Sequence, residues 1–95
     1  MKLKDLCEVK MNMSDADFWI IRRGDKNSIG KPTKEFSKEH IGVKVTSTDM
    51  LDSNYLFYVM CFMQSVGYYL DKGRGSLALV NISVDDVKQI NLQSR

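Results

Sequence analysis

Residues Leu51 to Lys72, LDSNYLFYVMCFMQSVGYYLDK, decide how the rest of the chain must fold. Asp52 or Ser53 suits the N-cap, because a short side-chain oxygen there accepts from the free N–H groups of the first helical turn. Nine residues without a charge follow, from Tyr55 to Met63. A helix this apolar offers water no face, so it is buried on most sides or shared with a partner. Gln64, Ser65 and Gly67 interrupt it short of the roughly 20 apolar residues that a membrane span needs. The stretch therefore reads as a long central core helix, with Leu56, Val59 and Phe62 among its buried positions.

The chain has 95 residues, 43% hydrophobic and 27% charged, with a formal net charge of +2. That length suits one domain over residues 1–95, near the lower limit for a self-sufficient core. A charge this small permits an anionic partner without arguing for one. Cys7 and Cys61 lie in apolar segments and have no metal-ligand spacing, which suggests free, buried thiols in a reducing compartment. The start, Met1-Lys2-Leu3-Lys4-Asp5, lacks the apolar core of a signal peptide. A cytoplasmic setting and no membrane partner are expected.

Leu3, Leu6, Cys7 and Val9 recur at roughly helical spacing and predict a short amphipathic turn or two. The run Phe18, Trp19, Ile20, Ile21 predicts a strand covered on both faces. Gly24 to Ser28 reads as a turn, Ile29-Gly30 as a return to extended chain, and Pro32 confines its segment to an edge or loop. Ile41, Val43 and Val45 alternate with Gly42, Lys44 and Thr46, as in a half-buried strand. After the central helix, Gly73 and Gly75 are its expected terminators, with Lys72 and Arg74 at the negative end of its dipole. Leu77 to Ile82 predicts a strand or an extended packed segment. Ser83 followed by Asp86 resembles a capping box that opens a helix over Val84 to Lys88, and Ile90 to Leu92 predicts a last short strand. The fold class is α+β: a small, mostly antiparallel sheet packed around one long buried helix.

Little here points to catalysis. His40, the single histidine, has no neighbours at metal-ligand spacing. A nucleophilic pair of His40 with either cysteine is disfavoured, since reactive thiols avoid the middle of apolar helices. Asp15/Asp17 and Asp85/Asp86 flank a strand start and a helix start, where carboxylates serve structure. Lys72-Gly73-Arg74-Gly75-Ser76 lacks the spacing of a phosphate-binding loop. The chain is expected to be no enzyme, with no metal and no cofactor.

The sharper signal is the run from Arg22 to Lys44. Arg22, Arg23, Lys26, Lys31, Lys34, Lys38 and Lys44 stand there against Asp25, Glu35 and Glu39. Cations on turn-forming residues either make a solvated surface or contact nucleic-acid phosphates. Asn27 and Ser28 are neutral polar groups able to read base edges, and Lys72 and Arg74 are candidates to extend the same surface.

Several of these segments, taken in order, resemble the target-recognition domains in the specificity subunits of type I restriction–modification systems. The carrying segments are Leu3 to Val9, then Ile21-Arg22-Arg23-Gly24 through Ile29-Gly30-Lys31, then Ile41 to Thr46. They continue through Asp52-Ser53-Asn54-Tyr55-Leu56-Phe57-Tyr58, Gly73 to Ser76, Val80-Asn81-Ile82 and Asp86-Val87-Lys88-Gln89-Ile90. Each motif is loose, and their order over nearly the whole chain makes the likeness. This chain is much shorter between Val9 and Asp17, where the family carries a long variable region, and Arg95 comes before the family's long spacer helix. The resemblance implies a target-recognition-like fold, duplex DNA as ligand and a methyltransferase subunit as partner. A stand-alone miniature of this kind suggests a phage or other mobile element, acting on DNA or mimicking the subunit against a host system.

Two non-catalytic functions follow as expectations. One is a DNA-binding module using Arg22, Arg23, Lys26, Asn27, Ser28, Lys31, Lys34, Lys72 and Arg74. The other is a protein-interaction module that docks on or inhibits a DNA-processing protein, such as a methyltransferase, nuclease or polymerase, or that forms a homodimer. The helix separates them: a face of Tyr55 to Leu70 left uncovered by so small a domain implies a protein partner or a second copy.

Overall fold

The computed structural model of the chain describes residues 1–75 and 79–92. It is a small α+β fold with two antiparallel sheets and three helices among the described residues. The chain opens with helix α1 (Leu3–Leu6), followed by strands β1 (Cys7–Met11), β2 (Phe18–Ile20), β3 (Arg23–Gly24), β4 (Pro32–Thr33) and β5 (Ile41–Val45). Helix α2 (Ser53–Ser65), strands β6 (Arg74–Gly75) and β7 (Val80–Asn81), and helix α3 (Val84–Lys88) complete it.

The larger sheet runs β1-β5-β2-β4 and is antiparallel throughout. Its register sets Val9 opposite Val43 and Val43 opposite Phe18, and likewise Met11, Ile41 and Ile20 in one row. Residues directly opposite share a face, so these rows make a continuous apolar surface. Leu3, Leu6, Leu56, Met60, Ile82, Val87 and Ile90 close over it to form the core. On the other face Trp19 is buried against the 12–16 loop: its indole Nε1 donates to the Met13 carbonyl at 2.8 Å, and its ring meets Phe36 edge-on at 5.8 Å. Phe18, Trp19 and Ile20 are all buried, as a strand covered on both faces requires.

Several expectations are corrected here. Cys7 to Met11 form a strand, not a continuation of the first helix, with Cys7 and Val9 buried and Glu8 and Lys10 exposed. Gly24, read as the start of a turn, instead joins Arg23 in a strand of a second sheet, in the order β3-β7-β6. Of the strand expected over Leu77 to Ile82, Leu77 and Ala78 lie outside the described residues; Val80 and Asn81 form β7. Ile90 to Leu92 contribute only a bridge, Lys2 to Asn91, flanked by Leu3 N–H to the Ile90 carbonyl (2.8 Å) and Leu92 N–H to the Met1 carbonyl (2.7 Å). The capping box holds: Ser83 Oγ accepts from Asp86 N–H at 3.1 Å, and Asp86 Oδ2 accepts from Ser83 N–H at 2.8 Å.

The largest correction concerns α2. Asp52 caps it, its carboxylate accepting from Tyr55 N–H at 2.9 Å. The helix ends at Ser65, well before Lys72. Gly67 adopts φ +87, its N–H donates to the Gln64 carbonyl, and Tyr68 N–H donates to the Met63 carbonyl, both at 3.1 Å. That is a Schellman motif with glycine at its left-handed position, and it stops the helix. Nor is the helix buried all round. Leu56 and Met60 are its only buried residues, and Phe57 reaches Phe18 edge-on at 5.4 Å. Cys61 is half-buried rather than buried, while burial and the Asp17 carboxylate push the Cys7 thiol up to about 11. Both thiols are free.

Candidate functional site

The run after β2 is built as a braced turn. Asp25 Oδ1 accepts from Asn27 N–H at 2.9 Å, and the Gln64 side-chain amide donates to the Asn27 carbonyl at 2.9 Å and the Ile29 carbonyl at 3.3 Å. The basic turn is therefore anchored to the C-terminal end of α2. Lys26, Asn27 and Lys31 are exposed, and Ser28 is half-buried.

Folding brings together cations that are distant in sequence. Arg23 on β3 lies opposite Asn81 on β7, and Arg74 on β6 lies opposite Asn81 from the other side. Arg23, Asn81 and Arg74 thus form a row on one face of the small sheet. Two strand spacings place its ends roughly 10 Å apart. The other expected cations are more committed. Arg22 Nε donates to the Glu39 carbonyl at 3.2 Å, Lys34 sits over the Phe57 ring at 4.6 Å, and Lys72 sits over the Tyr68 ring at 4.3 Å. Arg74 pairs with Asp86 at 3.1 Å. Burial pushes the Asp86 carboxyl up, but the Ser83 N–H and Arg74 outweigh that and hold it below its ordinary value. Arg23, Lys26 and Lys31 make no ion pair among the described residues. Lys44 is engaged elsewhere, with Asp15 at 2.9 Å. Asp17 is likewise structural, accepting from Val45 N–H at 2.8 Å.

His40 is half-buried and lines a shallow depression with Arg23, Ser37, Glu39 and Leu79. Among the described residues no three His, Cys, Asp or Glu side chains gather as a metal site would require. No described helix is long and apolar enough to cross a membrane.

The second surface is the helix face whose exposure separates the two expected functions. Tyr55, Tyr58, Phe62 and Val66 recur every three or four residues along the outside of α2, exposed by 65%, 71%, 65% and 65%. Leu70, 63% exposed, lies beyond the helix end, where its N–H donates to the Gly67 carbonyl at 3.1 Å. Beside the stripe lies an apolar groove of about 460 Å³, walled by Tyr55, Val59 and Met63 of α2 and by Met50, Leu6 and Leu92. Phe62, expected in the core, belongs to this outer face. The signal was present in the sequence: no Asp, Glu, Lys, Arg or His occurs from Ser53 to Leu70. A charge-free helix cannot bury every side in so small a fold.

Comparison of the chain with known protein families, with curated proteins and with solved structures finds no match.

Proposed function

We propose that this chain is a non-catalytic interaction module whose docking element is the outer face of α2. The observation that carries this reading is the stripe Tyr55, Tyr58, Phe62 and Val66, four large apolar side chains in line and each about two-thirds exposed. Scattered apolar residues on a surface are ordinary, but a contiguous row of them marks a protein-binding face. A photoreactive phenylalanine analogue tests this when installed at position 62 and, as a control, at position 10 on the exposed side of β1. Illumination in cells that produce the chain is expected to give discrete protein adducts from position 62 and none from position 10. Equal labelling from both, or none from either, sinks the reading.

A second reading is supported by the Arg23–Asn81–Arg74 row and by the family resemblance: contact with duplex DNA through the small sheet and the neighbouring Lys26 and Lys31. Cations of this kind neutralise phosphates, and binding then weakens with salt at a log–log slope of about −0.9 per phosphate. Arg22, tied to the Glu39 carbonyl, is a poorer probe than Arg23 or Lys26. Mobility shifts at two salt concentrations are expected to show Arg23→Ala/Lys26→Ala binding every duplex more weakly and with a shallower slope. A folded parent that shifts no duplex at low salt retires this second reading.

A further inference from the structure

We infer that the partner covering the outer face of α2 is a second copy of this chain, packed antiparallel across a two-fold axis beside Tyr58 and Phe62. This rests on the docking-face reading and adds its occupant.

Three observations point to self-association. The first is charge. From Ser53 to Leu70 the chain carries no Asp, Glu, Lys, Arg or His, so a strongly charged partner finds nothing in that stretch to complement, whereas a second copy meets the stripe without like-charge repulsion. The second is the spacing. Two-fold contacts are self-complementary, with residue i on j and j on i. An antiparallel pairing sets Tyr55 against Val66 of the other copy and Tyr58 against Phe62, so every exposed member of the stripe finds a counterpart. The third is area. A fully covered aromatic side chain buries about 150–250 Å², so a stripe two-thirds exposed offers roughly 600 Å². A standard interface takes about 800 Å² from each partner, and the rims of Met50 and the adjoining groove lie within reach of the same contact. Two copies thus approach the lower end of the stable range.

The measurement is sedimentation equilibrium of the purified full chain over a wide concentration series. The parent is expected to pass from 10.9 kDa to twice that mass as concentration rises. Phe62→Glu and Val66→Lys are each expected to move the midpoint by about a hundredfold or more, because each change enters a two-fold interface twice and buries a charge there. Both residues are largely exposed in the single chain, so circular dichroism and the melting profile of the monomer are expected to stay parental. A parent that keeps the single-chain mass up to millimolar concentration overturns the inference. So does a dimer that survives both substitutions, since it would be built on another surface. If the chain is monomeric yet position 62 still cross-links to other proteins, the docking face stands and only the identity of its occupant falls.

Discussion

Replacing Leu56 with Ala is expected to cost about 2–5 kcal/mol of folding stability, while Phe62→Ala costs under about 0.5 kcal/mol in the single chain. The two residues sit on one helix, six apart, and the sequence alone treats them alike. Leu56 is 1% exposed and packs in the core, so truncation loses its transfer energy and leaves a cavity. Phe62 already stands in water for most of its surface, so truncation removes little that folding had buried. Val59, half-buried on the wall of the groove, belongs between them. Urea melts of the three variants check this ranking. They must be run at concentrations where the single-chain mass is recorded, because an associating parent gains apparent stability by mass action. Equal losses for Leu56→Ala and Phe62→Ala would show that the outer face of α2 is packed within the chain.

Gly30→Ala is expected to cost about 2–5 kcal/mol, from two sources that a second variant separates. Gly30 holds φ +82, a conformation that strains any L side chain by about 1–2 kcal/mol. A Cβ there would also lie 2.1 Å from Tyr69 Cδ2, well inside contact distance. Tyr69 is buried over this glycine, which fixes the segment after α2 against the basic turn. Burial pushes its phenol above the ordinary range, and its hydroxyl has no hydrogen-bond partner among the described residues. The ring is therefore held by packing, and displacing it adds an overpacking cost of about 1–3 kcal/mol. In a Tyr69→Ala background that part disappears, and Gly30→Ala should then cost only the backbone strain. Thermal melts of the four proteins of this cycle decide it. A Gly30→Ala loss of the same size in both backgrounds would mean that the ring does not rest on the glycine.

Much of the fold was legible because local chemistry had few alternatives. Asp52 as cap, the capping box of Ser83 and Asp86, the bulky β2 run and the alternation of β5 each answer to bonds or packing within a few residues. Where two local patterns overlapped, the reading failed. Leu3, Leu6, Cys7 and Val9 satisfy a helical period, yet Cys7 to Met11 alternate equally well, and pairing with β5 settles the matter. Gly67 had already marked the end of α2, but the apolar residues beyond it concealed that stop. The short strands β3 and β6 carry no periodicity of their own. Only long-range pairing makes them strands.

Sequence by itself determined the strands β2 and β5, the caps, and the absence of charge from Ser53 to Leu70. Each depends on which side chains neighbour one another along the chain. Tertiary structure alone decided which side of α2 faces the core, because burial is a property of the whole assembly and not of one helix. The larger sheet and the flanking helices cover Leu56 and Met60, and their surface gives out before it reaches Tyr58 and Phe62. It also decided that Arg23 and Arg74 share a row, since strand register joins positions far apart in the chain. Composition counts charges and apolar residues, but exposure depends on what the rest of the chain has left over to cover them.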